Sequence, residues 1–206
     1  MLILPSIAGA AEIPQQFEAA IAGGDVASVI VRQDGMDEAA FQALAGRIVP
    51  VAQQAGIAAI IAGDTRVAGR TGADGIHVEG SRELREAVEK FQPKLMVGAG
   101  GAKTRDEALE LGEERPDYIF FGRFGYDVVP EPHRRNLALG TWWAEMIEIP
   151  CIVMAGSEVA SVATVAATGA EFVGLCQAVF GPGLDPRSQV KAANEMLDQV
   201  APRFED

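Results

Sequence analysis

The stretch GRTGADGIHVEG (69–80) sets a histidine and a glutamate two residues apart in an otherwise apolar run. In an extended strand alternate side chains share a face. Ile76 and Val78 then point one way, while His77 and Glu79 point the other, toward a polar pocket at the strand's end. More groups able to do chemistry fall where other apolar runs stop: Arg32, Gln33 and Asp34; Asp64 and Arg66; Lys103; Arg123 and Asp127; Gly156 and Ser157; Cys176 and Gln177. The set is polar with cations in it, suited to a small anion, although each member taken singly is equally a solvated loop residue.

Three of these positions have a more specific chemistry. MAGSE (154–158) has the form of a small-residue turn running straight into a helix. The N–H groups of Gly156 to Glu158 would then face outward with the helix dipole behind them and could hold phosphate; a plain capped turn would have the same sequence. Lys103, at a strand end, could serve as a base or Schiff-base amine. His77 is either a neutral imidazole packed inside the fold or a ligand-facing group. His133, among Pro130, Pro132, Arg134 and Arg135, reads as part of a solvated loop whose cations could close over an anion. Neither G-x-S-x-G, H-E-x-x-H nor a Walker loop occurs.

The elements that would position these groups are legible as eight apolar runs: 2–7, 27–32, 58–63, 75–80, 94–100, 118–124, 151–156 and 172–178. They are continuous in hydrophobicity, as parallel strands covered on both faces are. Helical patterns lie between them (13–24, 36–56, 81–92, 104–112, 137–148, 157–169 and 186–204), with room for only two turns at 64–72. Thr104 and Glu107 spell a capping box, Ser81 and Ser157 stand at cap positions, and Gly24, Gly56, Gly112 and Gly169 fall where helices should end. One of Trp142 and Trp143 should pack inward and the other cover an edge. Eight βα units predict an α/β fold, a closed (β/α)₈ TIM barrel, with the open doubly wound sheet as the competing topology. The longest irregular stretch, GYDVVPEPHRRN, reads as an active-site loop.

Bulk properties narrow the function classes. A chain of 206 residues predicts one domain over 1–206, and its formal charge of −12 argues against nucleic-acid or anionic-membrane partners, which call for a basic face. Cys151 and Cys176 sit inside apolar runs without metal-ligand spacing, so both should be buried free thiols. No run reaches the length of a membrane span, and the first residues lack a signal-peptide pattern, so a cytoplasmic protein is expected.

GADGIHVEG resembles the ADGVHLGQ segment of the thiamine-phosphate synthase family, a group of (β/α)₈ barrels that includes thiazole tautomerase relatives. In the same register PDYIFFGRF is similar to that family's ADYIGLGPVF, IPCIVMAGS to its IPVVAIGGI, and GAEFVGLCQAVF to its GADGVAVISAIF. The resemblance covers about residues 27 to 180. It implies a transferase of thiamine biosynthesis that joins a pyrimidine methyl diphosphate to a thiazole phosphate with Mg²⁺, releasing pyrophosphate.

Carried over position by position, the likeness is partial. In place of the family's Q-x-R-E-K the chain reads IVRQD, keeping Arg32 and substituting Gln33 and Asp34. The N-D pair becomes Gly63 and Asp64, the acid after the HLGQ turn becomes Arg82 beside Glu83, and the threonine-rich loop ending in lysine becomes GRFGYDVVPEPHRRN. The end of the fifth run, VGAGGAK, has neither the family's serine nor the tautomerase histidine. The resemblance therefore implies catalytic roles for Arg32 and Asp64, with Asp64 as the Mg²⁺ carboxylate, and Lys103 and Arg123, at neighbouring strand ends, are the further catalytic candidates. Phosphate would be held by Gly156, Ser157, Cys176 and Gln177, and His77 and Glu79 would line the substrate pocket. The expected partner is a small phosphorylated molecule, bound by a homodimer. The alternatives are a non-catalytic or regulatory phosphate-ligand-binding barrel, and an isomerase or lyase using Lys103.

Overall fold

The computed structural model describes residues 1–5 and 12–200. Its strands are β1 (Leu2–Ile3), β2 (Ser28–Arg32), β3 (Ala58–Ala62), β4 (Gly75–Glu79), β5 (Met96–Gly100), β6 (Tyr118–Phe121), β7 (Cys151–Met154) and β8 (Phe172–Gly174). The helices are α1 (Ile13–Ile21), α2 (Glu38–Gln54), α3 (Thr65–Thr71), α4 (Ser81–Phe91), α5 (Arg105–Glu113), α6 (Arg134–Met146), α7 (Ser161–Ala166), α8 (Gln177–Phe180) and α9 (Pro186–Val200). Every strand pairs in parallel with its neighbours in chain order. The ring closes where the Ile3 N–H donates to the Leu175 carbonyl at 2.8 Å and the Leu175 N–H to that of Met1 at 3.0 Å. The fold is thus the closed (β/α)₈ barrel, and not the open sheet.

Strand alternation sorts the apolar residues into two cores. Val29, Val31, Ile61, Ile76, Val97, Ile119, Phe121 and Val153 face outward under the helices, with Phe41, Leu44, Ile48 and Trp143 packed onto them. Ile3, Ile30, Ile60, Tyr118, Phe120, Ile152, Met154 and Cys176 fill the barrel interior. Trp143 is fully buried and donates its indole N–H to the Ile149 carbonyl at 2.7 Å, while Trp142 is half-buried under the Arg105 guanidinium. Both cysteines are buried free thiols.

The acids in the turns that precede β4, β6 and β8 have a structural task. Asp74 accepts the N–H of Ala59 at 2.8 Å, Asp117 that of Val97 at 2.7 Å, and Glu171 that of Cys151 at 2.8 Å. Each carboxylate ties the N-terminal end of its own strand to the start of the strand before it. Gln53 of α2 and Gln92, the C-cap of α4, donate to Asp74 and Asp117. These turns sit at the face of the barrel opposite the strand ends where active sites form, so they serve stability.

Several local expectations are corrected. Residues 6–7 of the first apolar run and 201–204 of the last helical pattern lie outside the described residues. The sixth and eighth runs leave the sheet early, at Phe121 and Gly174, and Gln177 opens the short α8. Thr104 caps α5 through the Glu107 N–H, but the Glu107 carboxylate accepts from Lys103 rather than Thr104. Ser81 is the first residue of α4, not its cap, and Ser157 lies four residues ahead of α7. Gly112 falls inside α5. A Cβ there would meet the Trp143 ring at 2.9 Å, so packing rather than helix termination calls for glycine. No described helix is long and apolar enough to cross a membrane.

Candidate functional site

The C-terminal mouth of the barrel is floored by an aromatic group around His77. The phases of β4 and β6 bring it about: Tyr118 and Phe120 share the inward phase of their strand, and Phe124 continues it beyond the strand's end. The imidazole lies 5.7 Å from the Tyr118 ring, 5.8 Å from Phe120 and 5.2 Å from Phe124, centroid to centroid. Tyr118 fits because Gly98 opposite it has no side chain; a Cβ there would lie 1.9 Å from the Tyr118 ring. His77 Nδ1 is 3.0 Å from the Tyr118 hydroxyl. Burial pulls the imidazole pKa down to about 3, so it is neutral at pH 7, and burial pushes the Tyr118 phenol up.

Arg32, the last residue of β2, is only 8% exposed. Its guanidinium lies 4.9 Å over the Phe124 ring and is ion-paired to Asp34 at 2.7 Å. Asp34 has φ of 41° in a tight turn closed by the Met36 N–H on the Gln33 carbonyl at 2.9 Å. A non-glycine residue with positive φ is uncommon outside functional loops. Gln33 braces the neighbouring turn as well, accepting from the Asp64 N–H at 2.9 Å. Asp64 caps α3 and is paired with Arg66 at 2.5 Å. That hydrogen bond lowers its pKa to about 2.

The loop between β6 and α6 folds over the ends of β7 and β8. A Cβ at Gly156 would lie 2.0 Å from the Pro130 carbonyl oxygen, so only glycine admits the loop. Two of the three N–H groups expected to face outward are engaged, as is that of Gln177. That of Gly156 donates to Ser161 Oγ at 3.0 Å, that of Ser157 to the Val129 carbonyl at 2.7 Å, and that of Gln177 to Asp127 Oδ2 at 2.7 Å. A six-residue α7 beginning at Ser161 also removes the helix dipole expected directly behind Gly156. Cys176 is buried beside this group, its thiol pushed up to about 12 by burial.

Under the loop lies a cavity of about 460 Å³ lined by Arg123, Asp127, His133, Arg134, Arg135 and Met154, among others. The basic cluster at 133–135 and Arg123 therefore meet in one place. Arg123 stacks on Tyr126 at 3.8 Å, and His133 caps α6 by accepting from the Arg135 N–H at 3.2 Å. Lys103 is exposed before α5 and is not part of this wall. Glu79 is exposed at the end of β4. Sequence reasoning missed Tyr118, Phe120 and Phe124, though their shared phase in YIFFGRF, two and then four residues apart, is the signal that would have found them.

Among the described residues, four buried side-chain atoms have no hydrogen-bond partner: Arg32 Nε, His77 Nε2, Asp127 Oδ1 and Asp34 Oδ2, the last of them ion-paired to Arg32 at 2.7 Å. All four belong to the mouth. Buried polar groups are almost always paired, so their convergence makes the mouth the candidate site for a polar ligand. Among the same residues no three carboxylate, histidine or cysteine groups gather as a metal centre.

The sequence model of the family described as thiamine monophosphate synthase matches residues 1–179. The thiamine-phosphate synthase of Hyphomonas neptunium is 29% identical over 205 residues, spanning 96% of this chain and 92% of that one. That of Rhodospirillum centenum is 32% identical over 191 residues, spanning 89% and 92%. The solved thiamine phosphate pyrophosphorylase of Pyrococcus furiosus superposes with a TM-score of 0.80 at 19% identity, over 97% of this chain and 96% of that one.

Proposed function

The chain belongs to the thiamine monophosphate synthase family, and from that premise we propose that its barrel mouth binds a thiazole phosphate and joins it to a pyrimidine methyl diphosphate. The bond from the pyrimidine methylene to the diphosphate oxygen breaks, and its electron pair leaves with pyrophosphate. The thiazole nitrogen supplies the pair for the new bond to the methylene carbon. No proton moves in this step, so the protein's task is to hold the leaving charge and keep water from the methylene.

Arg123, Arg134 and Arg135 around the cavity, with Arg32 beneath, supply the cations for the diphosphate. Neutral His77, held by Tyr118, offers Nε2 to a ring nitrogen or amino group, with Phe120 and Phe124 as an apolar wall. Magnesium, when bound, neutralises charge building on the diphosphate. Asp64 is the carboxylate for it. Its partner Arg66 is 63% exposed, so exchanging it for a cation disturbs no buried group. The donor set fits magnesium, which takes one or two protein carboxylates and completes its shell with phosphate oxygens and water.

The observation that carries this reading is the convergence of three partnerless buried atoms, Arg32 Nε, His77 Nε2 and Asp127 Oδ1, on one mouth. Its test is pyrophosphate release from the two substrates with Mg²⁺, alongside calorimetric binding of each compound. Turnover is expected, and absence of binding of either compound would overturn the reading. A second reading, a phosphate-ligand binder without turnover, is favoured by the loop GRFGYDVVPEPHRRN, which has no lysine where the family has one, and would be chosen by binding without turnover. Lys103 stands outside the cavity wall, which leaves the lyase alternative without support.

A further inference from the structure

Asp127 holds the position an anion would take at the end of β8. Its carboxylate Oδ2 accepts the Gln177 N–H at 2.7 Å, its residue is 4% exposed, and its Oδ1 has no partner. Arg32, also more than nine-tenths buried and with Nε unpartnered, acts on Asp127 electrostatically from β2 but gives it no hydrogen bond. The same loop places the Val129 carbonyl on the Ser157 N–H and the Pro130 carbonyl against Gly156. One segment thus covers both strand ends. In this position it leaves Tyr126, Val128 and Val129 exposed at 60%, 69% and 53%, so of its apolar side chains only Pro132 is buried.

We propose that Asp127 is a built-in competitor for the phosphate seat, and that a phosphate monoester binds by displacing it and lifting the loop 125–132 off the ends of β7 and β8. This rests on the thiazole phosphate binding proposed above, takes the Ser157 and Gln177 N–H groups as its phosphate seat, and adds how that seat is regulated. A carboxylate and a phosphate cannot share the Gln177 N–H, and like charges packed together in a buried site repel. A phosphate has the advantage in the exchange: it brings up to two charges and three acceptor oxygens. It can therefore take the Gln177 and Ser157 N–H groups and the unused Arg32 Nε together, where Asp127 takes one. Occupancy by Asp127 also lowers apparent affinity by the fraction of molecules with the seat open, which makes the loop a threshold against weak anions.

The test uses the intact chain, with inorganic phosphate and thiazole phosphate as probes, in wild type, Asp127→Ala and Asp127→Asn. Calorimetry should show Asp127→Ala binding both probes about tenfold tighter than wild type, with Asp127→Asn between, since the amide oxygen can still accept the Gln177 N–H without the charge. Hydrogen exchange on wild type needs no variant. Saturating thiazole phosphate should speed exchange of the amides at 125–132. Equal affinity in all three proteins, or slower exchange in the loop on binding, would overturn the competitor while leaving the phosphate seat intact. No binding of either probe to any of the three proteins would overturn the seat itself and the competitor with it.

Discussion

His77 Nδ1 and the Tyr118 hydroxyl lie 3.0 Å apart inside the barrel, joining β4 to β6 across an apolar interior. Gly98 on the strand between them leaves the space. The pair fixes the imidazole ring and leaves its other nitrogen, Nε2, buried without a partner. Tyr118→Phe should leave Nδ1 unpaired as well and destabilise the protein by about 1–3 kcal/mol, read by denaturant midpoint, with the barrel retained.

The same burial makes stability depend on pH. The imidazole pKa is about 3 in the folded chain against 6.5 in the unfolded one, so below pH 6.5 the unfolded state binds a proton that the folded state refuses. The contribution is complete above pH 6.5 and is lost as pH falls toward 3. Between pH 6.5 and 5 wild type should lose up to about 1.4 kcal/mol per pH unit more than His77→Gln, by chemical denaturation across that range. Parallel curves for the two proteins would contradict the burial of His77.

Asp64 serves both as a helix cap and as the magnesium carboxylate proposed above, and Asp64→Asn separates the two roles. Asparagine caps helices about as well as aspartate, so thermal stability should fall little. Magnesium-dependent pyrophosphate release should fall by about a hundredfold, because the amide cannot replace the charge at the ion. A variant with full turnover would move the metal elsewhere.

Gly156→Ala would set a Cβ 2.0 Å from the Pro130 carbonyl oxygen, where it cannot stay. The loop must shift and the Ser157-to-Val129 hydrogen bond must open, while β7 below remains paired. Faster hydrogen exchange at 125–132 with an unchanged far-ultraviolet spectrum is the expected result.

Asp117→Ala removes the acceptor for the Val97 N–H and for the Gln92 amide on the face away from the mouth. A loss of about 1–3 kcal/mol of stability with substrate affinity unchanged is expected, from the melting curve and calorimetry. Lost affinity would mean that this face is not purely structural.

Much of the architecture was legible along the chain. Eight continuous apolar runs separated by helical patterns announce a covered parallel sheet, because burial on both faces leaves no polar phase in a strand. The phase of His77 against Ile76 and Val78 was legible too, since alternation is a property of one strand alone. Asp74, Asp117 and Glu171 stand immediately before apolar runs, so their place at strand starts was visible. Their task was not, because each binds the start of a different strand.

What the sequence determined by itself, then, is what local physics determines: the kind and order of elements, which residues fall at strand ends, and the inward phase of His77. Only the tertiary structure decided which of those groups are available. Asp127 reaches the Gln177 N–H from 50 residues away, and Val129 takes the Ser157 N–H across a loop whose sequence carries no sign of its path. A backbone N–H has no side chain to advertise its partner. Whether it is open to a phosphate or already engaged depends on what packs above it once the barrel has closed.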